Sequence, residues 1–185
     1  MAIVDQSVRP GAIDGLYVIS AKHAGDARGT VRELFRRSAF DAAGLPTLRS
    51  FAQVNATESA RGVVRGLHAE SMTKLVAVVA GEAYGAYVDG RRDSPTFGQV
   101  DAVRLVPGVE VLVPSGVANG FQALAESTVY VYCFDEEWEP GMPGWACNPL
   151  DPALGFDWPV PIDTGNPAQL SAKDAGAPTF AEVFA

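Results

Sequence analysis

Histidine is nearly absent from this chain: His23 and His68 are the only two. Catalytic metal sites usually take about three protein ligands, and the histidine-rich kind needs several imidazoles. One chain with so few histidines cannot build such a site, so no metal or other cofactor is expected. Cysteine is equally scarce. Cys133 and Cys147 do not make a disulfide framework, and the pair fits a reduced, cytoplasmic setting. No apolar run approaches the roughly 20 residues that cross a bilayer. Met1 to Pro10 carries Asp5 and Arg9 and lacks the apolar stretch of a signal peptide. Basic residues are the minority: 14 Lys and Arg stand against 22 Asp and Glu, for a formal net charge of −8. That excludes a general nucleic-acid or anionic-membrane surface, which needs a basic face. A few local arginines can still hold one diphosphate. Long amphipathic helices are missing too, as are internal repeats and low-complexity stretches.

What the chain does have is a series of short β-like runs between turn residues. They cover Leu16 to Ser20, Val31 to Phe35, Ser50 to Asn55, Val63 to Leu67, Leu75 to Val79 and Ala83 to Val88. Gln99 to Leu105, Val109 to Val113, Phe121 to Leu124 and Thr128 to Phe134 complete the set. Two short helices are expected: Ser38 to Ala43, with Ser38 as N-cap and Gly44 as stop, and Thr179 to Phe184. Closely spaced antiparallel strands predict an all-β sandwich, jelly roll or small barrel. With 185 residues, 48% of them hydrophobic, the chain suits one domain with a full core. From Trp138 the sequence turns richer in Pro and Gly and loses the strand pattern. Residues 138–185 are therefore expected to wrap the barrel of a single domain spanning 1–185.

His68 ends the string Val63-Val64-Arg65-Gly66-Leu67-His68. Regular strand alternation sets Arg65 and Leu67 on one face, with Val64, Gly66 and His68 on the other. Gly66 leaves space beside the imidazole. An isolated histidine of this kind is ordinarily a hydrogen-bonded core residue. The neighbouring motifs turn the balance toward function.

Those motifs are Gly25-Asp26-Ala27-Arg28-Gly29, Gln53-Val54-Asn55, Arg65-Gly66-Leu67-His68 and Lys74-Leu75-Val76. Downstream stand Ser94-Pro95-Thr96-Phe97-Gly98, Trp158-Pro159 and Leu170-Ser171-Ala172-Lys173-Asp174. In this order, across nearly the whole chain, they resemble the dTDP-4-dehydrorhamnose 3,5-epimerases. The resemblance implies a cupin-type jelly roll with short peripheral helices, acting as a metal-free homodimer on a nucleotide-linked 4-keto-6-deoxy sugar. A ketone at carbon 4 acidifies the hydrogens on carbons 3 and 5. A base removes one, an enolate forms, and an acid on the opposite face returns a proton with inversion. By the resemblance His68 is the base, Asp174 its carboxylate partner and Tyr132 the acid. Lys74 is the cation beside the enolate oxygen. Arg28 matches an arginine that reaches across the dimer to the nucleotide. From guanidinium chemistry itself, Arg65 is a diphosphate ligand or else a surface salt-bridge partner. Glu33, Gln53 and Asn55 stand where nucleotide or sugar is held. Trp138, from its residue type alone, either stacks on the base or serves in packing.

Two positions depart from the family pattern. Asn119 stands where the family has a second histidine, and Gly85 where it has the aspartate paired with that histidine. The segment from His68 to Lys74 is also short. Asparagine donates and accepts hydrogen bonds but does not titrate, so altered sugar binding or site selectivity is expected. Two other readings stand beside the epimerase: a nucleotide-sugar binding protein with little catalysis, and a repurposed barrel that isomerises or cyclises another carbonyl compound.

Overall fold

The computed structural model describes residues 2–46 and 51–185. The chain opens with strands β1 (Ala2–Val4), β2 (Ser7–Pro10), β3 (Tyr17–Ser20), β4 (Lys22–Asp26) and β5 (Gly29–Glu33). Helix α1 (Arg37–Ala42) follows, then β6 (Gln53–Ser59), β7 (Val64–Glu70), β8 (Lys74–Ala80) and β9 (Ala83–Asp89). Strands β10 (Val100–Leu105), β11 (Val109–Val113), β12 (Val117–Ala123) and β13 (Thr128–Phe134) complete the regular part. The last segment holds β14 (Gly144–Ala146), a 3-10 turn at Pro152–Leu154, α2 (Ala172–Ala175) and α3 (Phe180–Val183). Among the described residues no helix is long and apolar enough to cross a membrane.

Two antiparallel sheets face each other as a jelly roll. One runs β10-β9-β12-β7-β14 and the other β2-β3-β11-β8-β13-β6. Alternation along each strand sends one set of side chains inward. Tyr87 and Phe121 from the first sheet meet Val76, Val78, Val111, Val113 and Tyr130 from the second. The Phe121 and Tyr130 rings stack across the gap, with centroids 4.1 Å apart and planes within 10°. Truncating a ring buried this way costs about 3–5 kcal/mol. The outer faces are covered as well. Leu154, Phe156, Trp158, Phe180 and Val183 of the last segment pack on Leu67, Ala69 and Ala86. Phe40 of α1 and Leu45 cover Ile19, Leu75 and Leu112.

A third, small sheet of order β1-β4-β5 stands apart. It exposes apolar side chains: Ile3 is 57% exposed, Val4 48% and Val31 76%.

The all-β expectation matches the structure, with local differences. Strand β12 begins at Val117 rather than Phe121, because Asn119 is buried and polar and interrupts the apolar pattern. Strands β1, β2 and β4 were not expected, since their residues are largely exposed and carry little alternation. The last segment is not free of strand: Gly144–Ala146 pairs with β7. Helix α1 starts after Arg36 with no side-chain cap, so Ser38 lies inside the helix and does not cap it. Gly44 follows its end at φ +67°, the left-handed stop expected of glycine. Thr179 does cap α3, in a reciprocal box with Glu182. The start of the Ser50 to Asn55 run lies outside the described residues.

Candidate active site

A cavity of about 450 Å³ opens between the two sheets at the end where β7 and β13 face each other. Strand β7 supplies Arg65, His68 and Glu70, and β12 supplies Asn119. The opposite sheet supplies Lys74 from β8, Tyr132 and Phe134 from β13, and Gln53 and Asn55 from β6. Trp138 stands at the rim, half exposed.

Regular alternation does not hold along β7. Asn119 pairs with His68 and Phe121 with Arg65, so β7 carries one extra residue against β12. This bulge turns Arg65 and His68 onto the same side, both lining the cavity. Leu67 turns the other way into the outer apolar cluster. The expectation that Arg65 and His68 face opposite ways is therefore corrected. So is the reason for Gly66. It sits at φ +116°, and a Cβ there would fall 2.5 Å from the Gly120 Cα. The glycine admits the neighbouring backbone; it does not open room beside His68.

His68 Nε2 lies 2.8 Å from Asp174 Oδ1. The carboxylate arrives from far along the chain because the last segment is tied to β7. Val64 N–H donates to Gln169 O at 2.8 Å, and Val64 bridges Leu170. Ser171 then caps α2, accepting from Asp174 N–H at 3.1 Å. Burial alone pushes the Asp174 carboxyl up. Hydrogen bonding and charge from His68, with bonds from the Ser171 hydroxyl and Gly66 N–H, outweigh burial and hold it below the usual range.

Tyr132 faces this pair from the other sheet. Burial pushes its phenol well above the ordinary range, partly offset by the positive charge of Arg65. The group is thus protonated near neutrality and able to give a proton. Of the aromatic residues sharing this strand face, Tyr130 is core.

Lys74, which its type and place at the start of a strand would by themselves suggest is solvated, is 3% exposed. Its Nζ donates to Asn119 Oδ1 at 2.7 Å and to His68 O at 3.3 Å, and it pairs with the Glu70 carboxylate. Burial lowers its pKa, against the charge and hydrogen bond of Glu70. Gly85 on β9 pairs with Phe121 of β12, two residues from Asn119, and a Cβ there would meet Tyr87 Oη at 2.7 Å. The tyrosine hydroxyl fills the space a carboxylate at that position would need.

Arg65 donates from Nε to Ser59 Oγ at 3.2 Å and, among the described residues, forms no ion pair. Its guanidinium therefore faces the cavity without a carboxylate partner. Gln53 donates to Asn55 Oδ1 at 3.1 Å and accepts from Trp138 N–H at 2.8 Å, which fixes the rim. Two of the sequence-derived candidates are not brought into this cavity. Arg28 lies at the tip of the β4–β5 hairpin, where it pairs with Asp26 at 2.7 Å. Glu33 pairs with Arg36. Glu70 was missed, although the signal was there: it is two residues beyond His68 on a strand that continues to it. Among the described residues no three His, Cys, Asp or Glu side chains converge as a metal-binding group.

The sequence pattern of the dTDP-4-dehydrorhamnose 3,5-epimerase family matches residues 10–182. A dTDP-4-dehydrorhamnose 3,5-epimerase of Pseudomonas aeruginosa is 36% identical over 181 residues, 93% of this chain and 94% of that protein. A dTDP-4-dehydrorhamnose 3-epimerase of Streptomyces niveus is 35% identical, over 95% of this chain and 84% of that one. The crystal structure of a Legionella pneumophila dTDP-6-deoxy-D-glucose-3,5-epimerase in complex with dTDP-4-keto-L-rhamnose has a TM-score of 0.85 at 34% identity. It covers 96% of this chain and 94% of its own.

Proposed function

The chain belongs to the dTDP-4-dehydrorhamnose 3,5-epimerase family, and from that premise we propose that it inverts carbon 3, carbon 5 or both of a dTDP-linked 4-keto-6-deoxy sugar. The observation that carries this reading is the His68–Asp174 pair, 2.8 Å apart on one wall of a cavity that Tyr132 lines from the opposing sheet.

His68 is the base. The imidazole removes the proton next to the ketone, and Asp174 orients the ring and stabilises the imidazolium that results. The electrons move into an enolate whose oxygen faces Lys74. A fixed cation there favours the charged intermediate over the neutral ketone. Tyr132 returns a proton from the other side, and the centre inverts. Base and acid on facing sheets are what inversion requires.

Arg65 suits the diphosphate, because guanidinium binds phosphate oxygens in a fork. Trp138 offers a stacking surface for the base, with Gln53 and Asn55 beside it. Asn119 frames the sugar end through Lys74. Arg28 and Glu33, outside this cavity, fit a homodimer in which the small sheet with exposed Ile3, Val4 and Val31 lies on a second copy. Arg28 then reaches the partner's nucleotide. A cytoplasmic enzyme goes with this reading. The relatives are named for epimerisation at both carbons or at carbon 3 alone, so the positions inverted are part of the proposal.

The test is turnover of dTDP-4-keto-6-deoxyglucose in heavy water, followed by mass spectrometry. Deuterium entering next to the ketone is expected. Tight dTDP binding with no incorporation would favour a nucleotide-sugar binding protein. The intact His68, Asp174, Tyr132 and Lys74 set speaks against that alternative.

A further inference from the structure

We propose that Glu70 is a positioning residue that holds Lys74 in its ammonium form inside the cavity, so that the developing enolate meets a full positive charge. The inference rests on the epimerase reading and deepens it.

The contacts of Lys74 carry the argument. Three acceptors surround Nζ: Asn119 Oδ1 at 2.7 Å, His68 O at 3.3 Å, and the Glu70 carboxylate. An ammonium donates to Asn119 and His68 and carries the charge that pairs with Glu70. A neutral amine could still donate to those two, but its lone pair would face the Glu70 carboxylate with no charge to offer it. Reversing the Asn119 amide would aim its NH2 at the ammonium, so the amide has one sensible orientation.

Charge leads to the same conclusion. Lys74 is nearly sealed from water. The titratable and polar groups that line the cavity with it include Arg65, His68 and Glu70 on β7, Asn119 on β12, Tyr132 on β13 and Asp174 on α2. Asn119 carries no charge, and burial keeps Tyr132 protonated. Asp174 is bonded to His68. Arg65 is a second cation lining the same cavity and supplies no counter-charge. Among the described residues Glu70 is the sole carboxylate within ion-pair distance of Lys74. A buried ammonium that loses its only counter-ion gives up its proton rather than remain charged. As an amine, Lys74 still donates a hydrogen bond but no longer supplies charge to the enolate. Strand β7 thus delivers both the base, His68, and the counter-ion of the lysine, Glu70.

The chain has three lysines, Lys22, Lys74 and Lys173, so the Lys74 side chain can be followed directly. Lysine labelled with 13C at Cε is titrated by NMR in the full-length protein, with resonances assigned by Lys22→Arg and Lys173→Arg. The kcat of deuterium exchange is measured across the same pH range. In Glu70→Gln the Lys74 titration is expected to move down by about one unit or more. The alkaline fall of kcat should move with it, while KM changes less. Glu70→Asp should keep most of the wild-type titration, and Glu70→Ala, a second neutral variant, should behave as Glu70→Gln. An unmoved Lys74 titration in both neutral variants overturns the proposal, as does an unmoved alkaline limb. Absence of exchange in the wild type would instead refute the epimerase reading, while the NMR titration still decides what Glu70 does to Lys74.

Discussion

His68 and Asp174 stand 106 positions apart in the chain, yet their side chains meet at 2.8 Å. The base lies on a strand of the barrel and the carboxylate on a single helical turn in the last segment. His68→Ala is expected to lower deuterium exchange by about 100- to 10,000-fold, the usual worth of a positioned acid or base. Asp174→Asn keeps the size of the side chain but loses its charge, and a large loss is expected there too. Circular dichroism and thermal melting should show both variants folded. Near-normal exchange by purified His68→Ala protein would sink the mechanism.

Arg65 is exposed at the cavity and bonded only to Ser59 among the described residues. Its removal should leave stability within about 0.5 kcal/mol, as for most surface substitutions. Binding should suffer far more. Charge-assisted hydrogen bonds contribute about 1.5–3 kcal/mol, so Arg65→Ala is expected to weaken dTDP binding about 10- to 100-fold. Calorimetry showing unchanged affinity would remove Arg65 from the diphosphate site.

Asp89 governs acid stability away from the site. Its buried carboxylate accepts from Arg91, Ser94 Oγ at 2.6 Å and Thr96 Oγ1 at 2.7 Å. Burial pushes its pKa up, but these bonds outweigh burial and bring it from 3.8 down to about 2. The folded value lies below the unfolded one, so the stabilisation is present above the unfolded pKa and fades as pH falls toward about 2. It amounts to about 2 kcal/mol. Asp89→Asn should lower stability at neutral pH by about that much and flatten its dependence across the acid range. Urea melts at a series of pH values measure this. A mutant with the wild-type acid slope would assign that slope to other carboxylates.

Most strands of the two main sheets, though not the edge strands β2 and β14, could be read from the sequence because their alternating residues are the core. Val76, Val78, Val111 and Tyr130 are inward for the same reason that they recur. The β7 bulge could not, since alternation counts residues and a bulge adds one without changing the composition. Hence Arg65 and His68 were assigned to opposite faces. The string Ser94-Pro95-Thr96 was legible as a motif, but its physical role depends on Asp89, several residues earlier, and only folding joins them. Lys74 reads from sequence as solvated, because its burial comes from Asn119 and Glu70 on a neighbouring sheet. Asp174 had no local signal beyond the Ser171 cap, and by itself it looks like any residue of a polar tail.

The carbons flanking the ketone should not exchange equally. With dTDP-4-keto-6-deoxyglucose turned over in heavy water, one position is expected to take up deuterium much faster, and carbon 3 is the expected one. His68 lines one wall and Tyr132 the other, so one base and one acid must serve both carbons by small changes in how the ring is held. The group that would frame the ring is altered. Asn119 is neutral and small, and its oxygen is committed to Lys74 at 2.7 Å. Gly85 supplies no carboxylate, and the Tyr87 hydroxyl occupies the space beside it. A ring framed on this side by a neutral amide instead of a titratable group has less to anchor it in a second pose. A misplacement of about 1 Å costs on the order of 100-fold in rate, so a modest shift spares one carbon and silences the other. NMR of the product, with deuterium located carbon by carbon over time, decides the matter. Equal and fast uptake at both carbons would mean that Asn119 and Gly85 do not set selectivity, and that His68 and Tyr132 reach both positions from a single pose.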